Sequence, residues 1–97
     1  IVSNEPGYYR ADGFGIRCEN LVVVREHKAD TDDGPPMMAF EVLTLAPFDL
    51  RLVDTSLLTQ AEADWIDAYH QLVFRELSPR LGEQDTAWLR QATQPLG

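Results

Sequence analysis

Asn4-Glu5-Pro6-Gly7-Tyr8-Tyr9 and its sequel Phe14-Gly15-Ile16-Arg17-Cys18-Glu19-Asn20-Leu21 decide the reading of this chain, because each half presents one carboxylate on a constrained backbone. Glu5 precedes a proline, whose Cδ pushes the preceding residue out of the α region, so its carboxylate is held at the end of an extended segment. Gly7 permits a bend there. In the second half side chains alternate across a strand, so Arg17 and Glu19 share one face while Ile16 and Cys18 share the other. Asp12-Gly13, between the halves, is a two-residue turn signal. It folds the two segments back on each other as antiparallel neighbours and brings Glu5 and Glu19 within reach of one site.

Two carboxylates converging on one place repel each other unless a cation neutralises them, and a metal is the natural occupant. Oxygen-rich sites suit magnesium, calcium or manganese, and an added imidazole shifts the preference to manganese or zinc. Spacing alone leaves a plainer alternative open, in which both glutamates lie on the surface and Glu19 is simply paired with Arg17. Cys18 reads as a small buried hydrophobe alternating with Ile16, not as a nucleophile.

Outward from this core, Ile1 to Asn4 reads as a strand stub and Tyr8 to Gly13 as the turn. Gly15 to Arg25 reads as the longest strand, and its run Leu21-Val22-Val23-Val24 predicts burial on both faces. Glu26 to Pro36 is an acidic loop punctuated by Asp32-Asp33-Gly34-Pro35-Pro36; its aspartates lack the spacing and closing glutamate of a calcium-binding loop. Met37 to Leu45 resumes strand character and pairs with the preceding strand, until Pro47 stops it. Leu50 to Leu58 is a connector with enough leucine and valine to lie against the body.

The helical half opens on Thr59-Gln60-Ala61-Glu62, a capping box. Trp65, Ile66, Tyr69, Leu72, Val73 and Leu77 then recur at helical offsets, and Ser78-Pro79 closes the helix. A second helix is expected over Glu83 to Ala92, with Trp88, Leu89 and Ala92 facing in and Pro95 beyond its end. Trp65 and Trp88 are expected in core packing. His70, with no second ligand at helical spacing, is expected to pack or hydrogen-bond and not to bind metal.

Composition bounds what such a chain can do. With 97 residues it forms one domain at most, of marginal stability when surfaces lack their partners. Eight Lys and Arg against 16 Asp and Glu, a net charge of −8, exclude the basic footprint that nucleic acid requires. No apolar run approaches the roughly 20 residues needed to cross a bilayer. The single cysteine cannot form an internal disulfide, which favours a reducing, cytoplasmic setting.

Glu-Pro-Gly-Tyr-Tyr followed by Phe-Gly-Ile-Arg-x-Glu-Asn-Leu resembles the end of the catalytic domain of Xaa-Pro aminopeptidase (aminopeptidase P), a metallopeptidase family with the pita-bread fold. Phe40-Glu41-x-Leu43-Thr44-Leu45-x-Pro47, then Asp54, Leu57-Leu58-Thr59, Glu62, Trp65, Tyr69-His70 and Leu77-Ser78-Pro79, resembles the C-terminal extension of its longer members. The resemblance implies a site of two divalent ions, commonly manganese, held by two aspartates, one histidine and two glutamates. Glu5 and Glu19 match the glutamates: Glu5 would also act as acid/base toward the attacking water, and Glu19 would bridge the ions. Tyr9 and Arg17 match positions that hold the ligand region together. The aspartates and the histidine would lie upstream of Ile1, and neither His27 nor His70 stands where the family's ligand stands.

The expectation is therefore an α+β chain: a small antiparallel sheet ending a pita-bread catalytic domain over residues 1–47, then a C-terminal extension of two helices over 48–97. It would be the C-terminal part of an enzyme that releases the N-terminal residue preceding proline, inactive alone and dimeric in the parent protein. The alternative is a non-catalytic docking or dimerisation module, or a pseudo-peptidase of the same fold.

Overall fold

In the computed structural model, which describes residues 1–27 and 34–96, the chain divides into two compact units, Ile1–Thr44 and Leu45–Gly97. Small antiparallel sheets fill the first and two helices the second, which is the α+β class expected.

The first unit is built on one long hairpin whose ladder is broken once along its length. Strand β1 (Val2–Asn4) pairs with β4 (Asn20–His27), and β2 (Gly7–Tyr9) pairs with β3 (Gly15–Arg17). Strand β5 (Met37–Val42) adds to the other side of β4, giving a three-stranded order β1-β4-β5 beside the two-stranded β2-β3. The expected single strand from Gly15 to Arg25 is thus interrupted at Cys18-Glu19. The interruption has its cause across the ladder: Pro6 has no N–H to donate, so only its carbonyl takes part, accepting from the Cys18 N–H at 3.0 Å.

The hairpin tip is longer than Asp12-Gly13 alone. Arg10 N–H donates to the Phe14 carbonyl at 2.8 Å and Gly13 N–H to the Arg10 carbonyl at 3.1 Å. The residue in the left-handed region is Asp12, at φ 57°, and not the glycine beside it. Aspartate is one of the few side chains that visits this region at low cost.

Valines Val2, Val22 and Val42 stand in one row across the three-stranded sheet, and Val22 is 3% exposed. Burial on both faces of β4 does not occur: Asn20 and Val22 on one face are buried, whereas Leu21 on the other face is exposed, and so is Val24, two residues beyond Val22 on its own face. The run is apolar on both sides, but its burial is confined to Asn20 and Val22 at one end of one face. The β4–β5 ladder reaches His27 opposite Met37, so Glu26 and His27 belong to the strand and not to the loop. It continues at its other end through Leu43 N–H to the Leu21 carbonyl and Leu21 N–H to the Thr44 hydroxyl at 2.9 Å. Arg25 and Glu41 form an exposed diagonal pair at 2.7 Å, an arrangement worth about 0–1 kcal/mol. The aspartates Asp30, Asp32 and Asp33 of the acidic loop fall outside the described residues.

In the second unit the connector contains two 3-10 turns, Leu50–Leu52 and Thr55–Leu57. Each is capped by an aspartate, Asp49 accepting from the Arg51 N–H and Asp54 from the Ser56 N–H. Helix α1 (Gln60–Leu77) starts where the capping box places it. Glu62 N–H donates to the Thr59 hydroxyl at 3.2 Å and Thr59 N–H to the Glu62 carboxylate at 2.9 Å. After a 3-10 turn at Ser78–Arg80, helix α2 spans Glu83–Ala92.

The core of this unit is Tyr69, His70, Val73 and Leu89. The tryptophans are not in it. Trp65 is half-exposed and lies stacked on Tyr69 with ring centroids 5.5 Å apart, and Trp88 is exposed, while Leu89 beside it is 1% exposed. Ten residues of α2 bury one narrow stripe, and at 100° per residue only one of two adjacent side chains can point into it. Among the described residues, no helix is long and apolar enough to cross a membrane.

Candidate metal centre

The same register runs through both ladders of the first unit, with Asn4 opposite Asn20 and Gly7 opposite Arg17. The residues between these pairs therefore face each other in order, Glu5 opposite Glu19 and Pro6 opposite Cys18. Both glutamates sit at the break where the chain passes from one sheet to the other, and both are exposed. Proline sets this arrangement twice over, by holding Glu5 extended and by ending the ladder next to it.

Arg17 stands beside them. Its Nε lies 3.4 Å from a carboxylate oxygen of Glu19, with both side chains about half exposed. The guanidinium is held above the ordinary arginine range first by a hydrogen bond with the Tyr9 side chain, then by the charge of Glu19, and to a lesser degree by the charges of Tyr9 and Glu5. Tyr9, Arg17, Glu19 and Glu5 are therefore one electrostatic group, with Arg17 at its centre. Tyr9, Gly15, Arg17 and Glu19 line an open cleft of about 520 Å³.

Two glycines make room for this group. Gly15 is opposite Tyr9, and a Cβ there would lie 2.8 Å from Tyr9 Cδ1; a Cβ on Gly7 would lie 3.0 Å from the Tyr9 hydroxyl and 3.0 Å from Arg17 Cγ. The Tyr9 ring lies flat across the strand pair because both floor positions lack side chains. Gly7 is thus a paired strand residue and not the bend expected from sequence. The signal was present, a glycine on each strand at the positions flanking Tyr9 and Arg17, but a glycine in a strand reads first as a break. The opposite face carries Tyr8 and Ile16, with the Phe14 ring 6.2 Å from that of Tyr8.

Cys18 is exposed, contrary to the buried position expected for it. The strand that suggested burial stops before Cys18, at the break between the ladders, and Ile16 is itself 43% exposed. Among the described residues, no group of three or more His, Cys, Asp and Glu side chains is gathered as a complete cation site. What the chain offers is a pair of opposed carboxylates with one adjacent guanidinium. Hard oxygen donors in this number fit part of the coordination of a magnesium or manganese ion and not the whole of it.

Residues 36–96 match the family described as the C-terminal region of peptidase_M24. The chain is 46% identical over 99 residues to a probable Xaa-Pro aminopeptidase P of Arthroderma gypseum, covering 99% of this chain and 16% of that protein. It is equally identical over 100 residues to aminopeptidase P2 of Arabidopsis thaliana, covering 99% of this chain and 14% of that one. The chain thus spans about a sixth of the length of the curated relatives it matches. Among solved structures, the X-prolyl aminopeptidase of Caenorhabditis elegans, described as a cytosolic enzyme with a di-nuclear active site, superposes with a TM-score of 0.83. The two are 32% identical, over 97% of this chain and 16% of that one. With the C-terminal region of peptidase_M24 matched over residues 36–96 and aminopeptidases P matched across both units, the chain belongs to the Xaa-Pro aminopeptidase family and carries its C-terminal region.

Proposed function

We propose that this chain is the C-terminal part of a dinuclear-metal aminopeptidase that releases the N-terminal residue preceding proline, with residues 1–47 ending the catalytic domain and 48–97 forming its C-terminal extension. The observation that carries the reading is the shared register that sets Glu5 opposite Glu19 in a member of this family. Glu5 and Glu19 are the two glutamate ligands, and the remaining ligands come from outside the described residues.

When bound, a pair of divalent ions, manganese in this proposal, supplies Lewis-acid polarisation of the scissile carbonyl and acidification of a water. Glu5, on the constrained corner before Pro6, receives the proton of the attacking water on its carboxylate and returns it to the leaving amine. Glu19 would supply the second carboxylate that holds the ions. Arg17 fixes the Glu19 carboxylate from the side, and Tyr9, laid across the two glycines, fixes Arg17. The parent enzyme is cytoplasmic and homodimeric, and its substrate is a peptide with proline in second position.

Manganese calorimetry tests this reading together with an assay for the residue released from a short Xaa-Pro peptide. In the parent protein, Glu5→Gln and Glu19→Gln should lose metal and turnover together, and the 97-residue chain alone should show neither at millimolar manganese. Full turnover in either mutant overturns the ligand assignment, and turnover by the chain alone overturns the claim that its ligand set is partial.

A further inference from the structure

His70 lies on α1 and its ring is completely buried, at 0% exposure. Its Nε2 accepts the backbone N–H of Phe48 at 3.0 Å, which assigns the ring proton to Nδ1. That Nδ1 finds no hydrogen-bond partner among the described residues. The neighbouring Tyr69 hydroxyl donates to the Ala46 carbonyl at 2.8 Å and accepts from the Ala46 N–H at 3.4 Å. The Phe48 ring is packed 5.2 Å from Tyr69, 6.2 Å from His70 and 6.4 Å from Trp65. Tyr69 and His70 therefore pin the segment Ala46–Phe48 to the side of α1.

Protonation would undo the His70 half of this attachment. Nε2 would become a donor facing the Phe48 N–H, donor against donor, while the Nδ1–H already lacks an acceptor. The result would be a buried cation with two unpaired donors, each of which costs the full desolvation of its group. We propose that the His70–Phe48 contact is an acid-opened latch: the neutral imidazole holds the Phe48 end of the segment Ala46–Phe48 against α1, and uptake of a proton at Nε2 releases that end while Tyr69 keeps Ala46 attached.

The surrounding charges do not prevent this. On α1 the ionisable neighbours are Tyr69, engaged with Ala46, and Asp67. Burial holds His70 below the ordinary histidine value of 6.5, and Asp67 opposes that with a smaller effect in favour of the cation. The Asp67 carboxylate is itself engaged, accepting the Leu96 N–H at 2.9 Å. From the connector come Asp49 and Arg51, joined to each other at 2.7 Å in an exposed pair. From α2 the buried residue is Leu89, while Glu83, Asp85 and Arg90 are exposed, with Arg90 over the Phe74 ring.

The sign of the pH effect follows from the lowered value. Above pH 6.5 the imidazole is neutral in both the folded and the unfolded chain, and the latch contributes fully. As pH falls below 6.5 the unfolded chain takes up the proton first, so stability is lost progressively until the folded ring is protonated as well.

The test is nuclear magnetic resonance of the 97-residue chain between pH 7.5 and 4. It follows the ring nitrogens of His70 and hydrogen exchange at the Phe48 amide, with the Ala63 amide of α1 as reference. The expected result is an Nδ1–H tautomer at neutral pH and a ring titrating below 6.5. Phe48 protection, corrected for intrinsic exchange, should fall by about tenfold or more through that titration while Ala63 is unchanged. In His70→Gln, whose side-chain oxygen is an acceptor at any pH, Phe48 protection should be flat. An Nε2–H tautomer, a ring still neutral at pH 4, Phe48 protection that survives ring protonation, or the same step in His70→Gln would each overturn the latch. The tautomer and the exchange profile of the unmutated chain decide the matter even where the variant fails to fold.

Discussion

Replacing Gly15 by alanine tests the architecture of the site more sharply than removing a ligand does. Gly15 is not in the left-handed region, so alanine can adopt its backbone without strain, and the cost of the substitution is steric. The new Cβ would meet Tyr9 Cδ1 at 2.8 Å, closer than carbon atoms approach, and Cε1 at a tight 3.1 Å. Tyr9 is 64% exposed, so its ring can swing outward instead of forcing the strands apart. An off-rotamer tilt of that kind costs about 0.5–1.5 kcal/mol, and the fold should therefore lose about 1 kcal/mol.

The effect on the site should be larger than the effect on the fold. A displaced Tyr9 no longer holds Arg17, and Arg17 no longer steadies the Glu19 carboxylate at 3.4 Å. Groups that orient a ligand in this way are typically worth about 10–100-fold in metal affinity or activity. In the parent enzyme, Gly15→Ala should weaken manganese binding by about that factor while urea denaturation reports a loss of about 1 kcal/mol. Tyr9→Phe, which keeps the ring and removes the hydroxyl, should reproduce the affinity loss without the steric cost. Wild-type manganese affinity in Gly15→Ala would refute the reasoning, as would a loss of affinity no larger than the loss of fold stability accounts for.

Three further predictions rest on other parts of the chain. Leu89→Ala empties a position that is 1% exposed in the helical core and should destabilise by about 3 kcal/mol in chemical denaturation, a loss under 1 kcal/mol meaning that α2 is not docked there. The Asp49 carboxyl, held by side-chain and backbone hydrogen bonds from Arg51, should titrate at about 2 instead of 3.8. Any stability it contributes is therefore complete above pH 3.8 and lost as the pH falls through about 2; a carbon-detected midpoint near 3.8 would remove the Arg51 interaction from solution. Strands β1 and β5 are both unpaired on their outer edges among the described residues, and Met37, Met38 and Phe40 on β5 are exposed, so the isolated chain should self-associate. Light scattering across a concentration series checks this, and a constant monomer mass would contradict it.

Helix placement was legible because its signals are local. The capping box at Thr59 and the proline at position 79 bound α1 with no tertiary information, and the observed limits Gln60 and Leu77 agree with them. Burial was less legible because it depends on what covers a surface. Leu21 and Val24 carry the same apolar signal as Val22, yet only Val22 is buried, and Trp88 carries a stronger one than Leu89 while facing outward. At the candidate site, the constraint on Glu5 could be read from Pro6, since proline acts on its immediate neighbour. The break at Cys18-Glu19 could not, because its cause is a proline on the opposite strand. The floor under Tyr9 was hidden for a similar reason: the relation between Gly15 and Tyr9 exists only once the strands are paired.

The shared register of the hairpin has a bearing on which insertions and deletions this chain can absorb. Because Asn4 opposes Asn20 and Gly7 opposes Arg17 in one uninterrupted register, lengthening or shortening the tip between Tyr9 and Gly15 changes the sequence distance separating the two glutamates without moving either from its opposite number. A single residue added to one arm, between Asn4 and Tyr9 or between Gly15 and Asn20, slides the arms past each other and turns every later side chain to the wrong face. Natural length variation in this region should therefore be confined to the tip, and the distance from Glu5 to Glu19 along the chain is a poor signature of the site compared with the two arms taken as a matched pair.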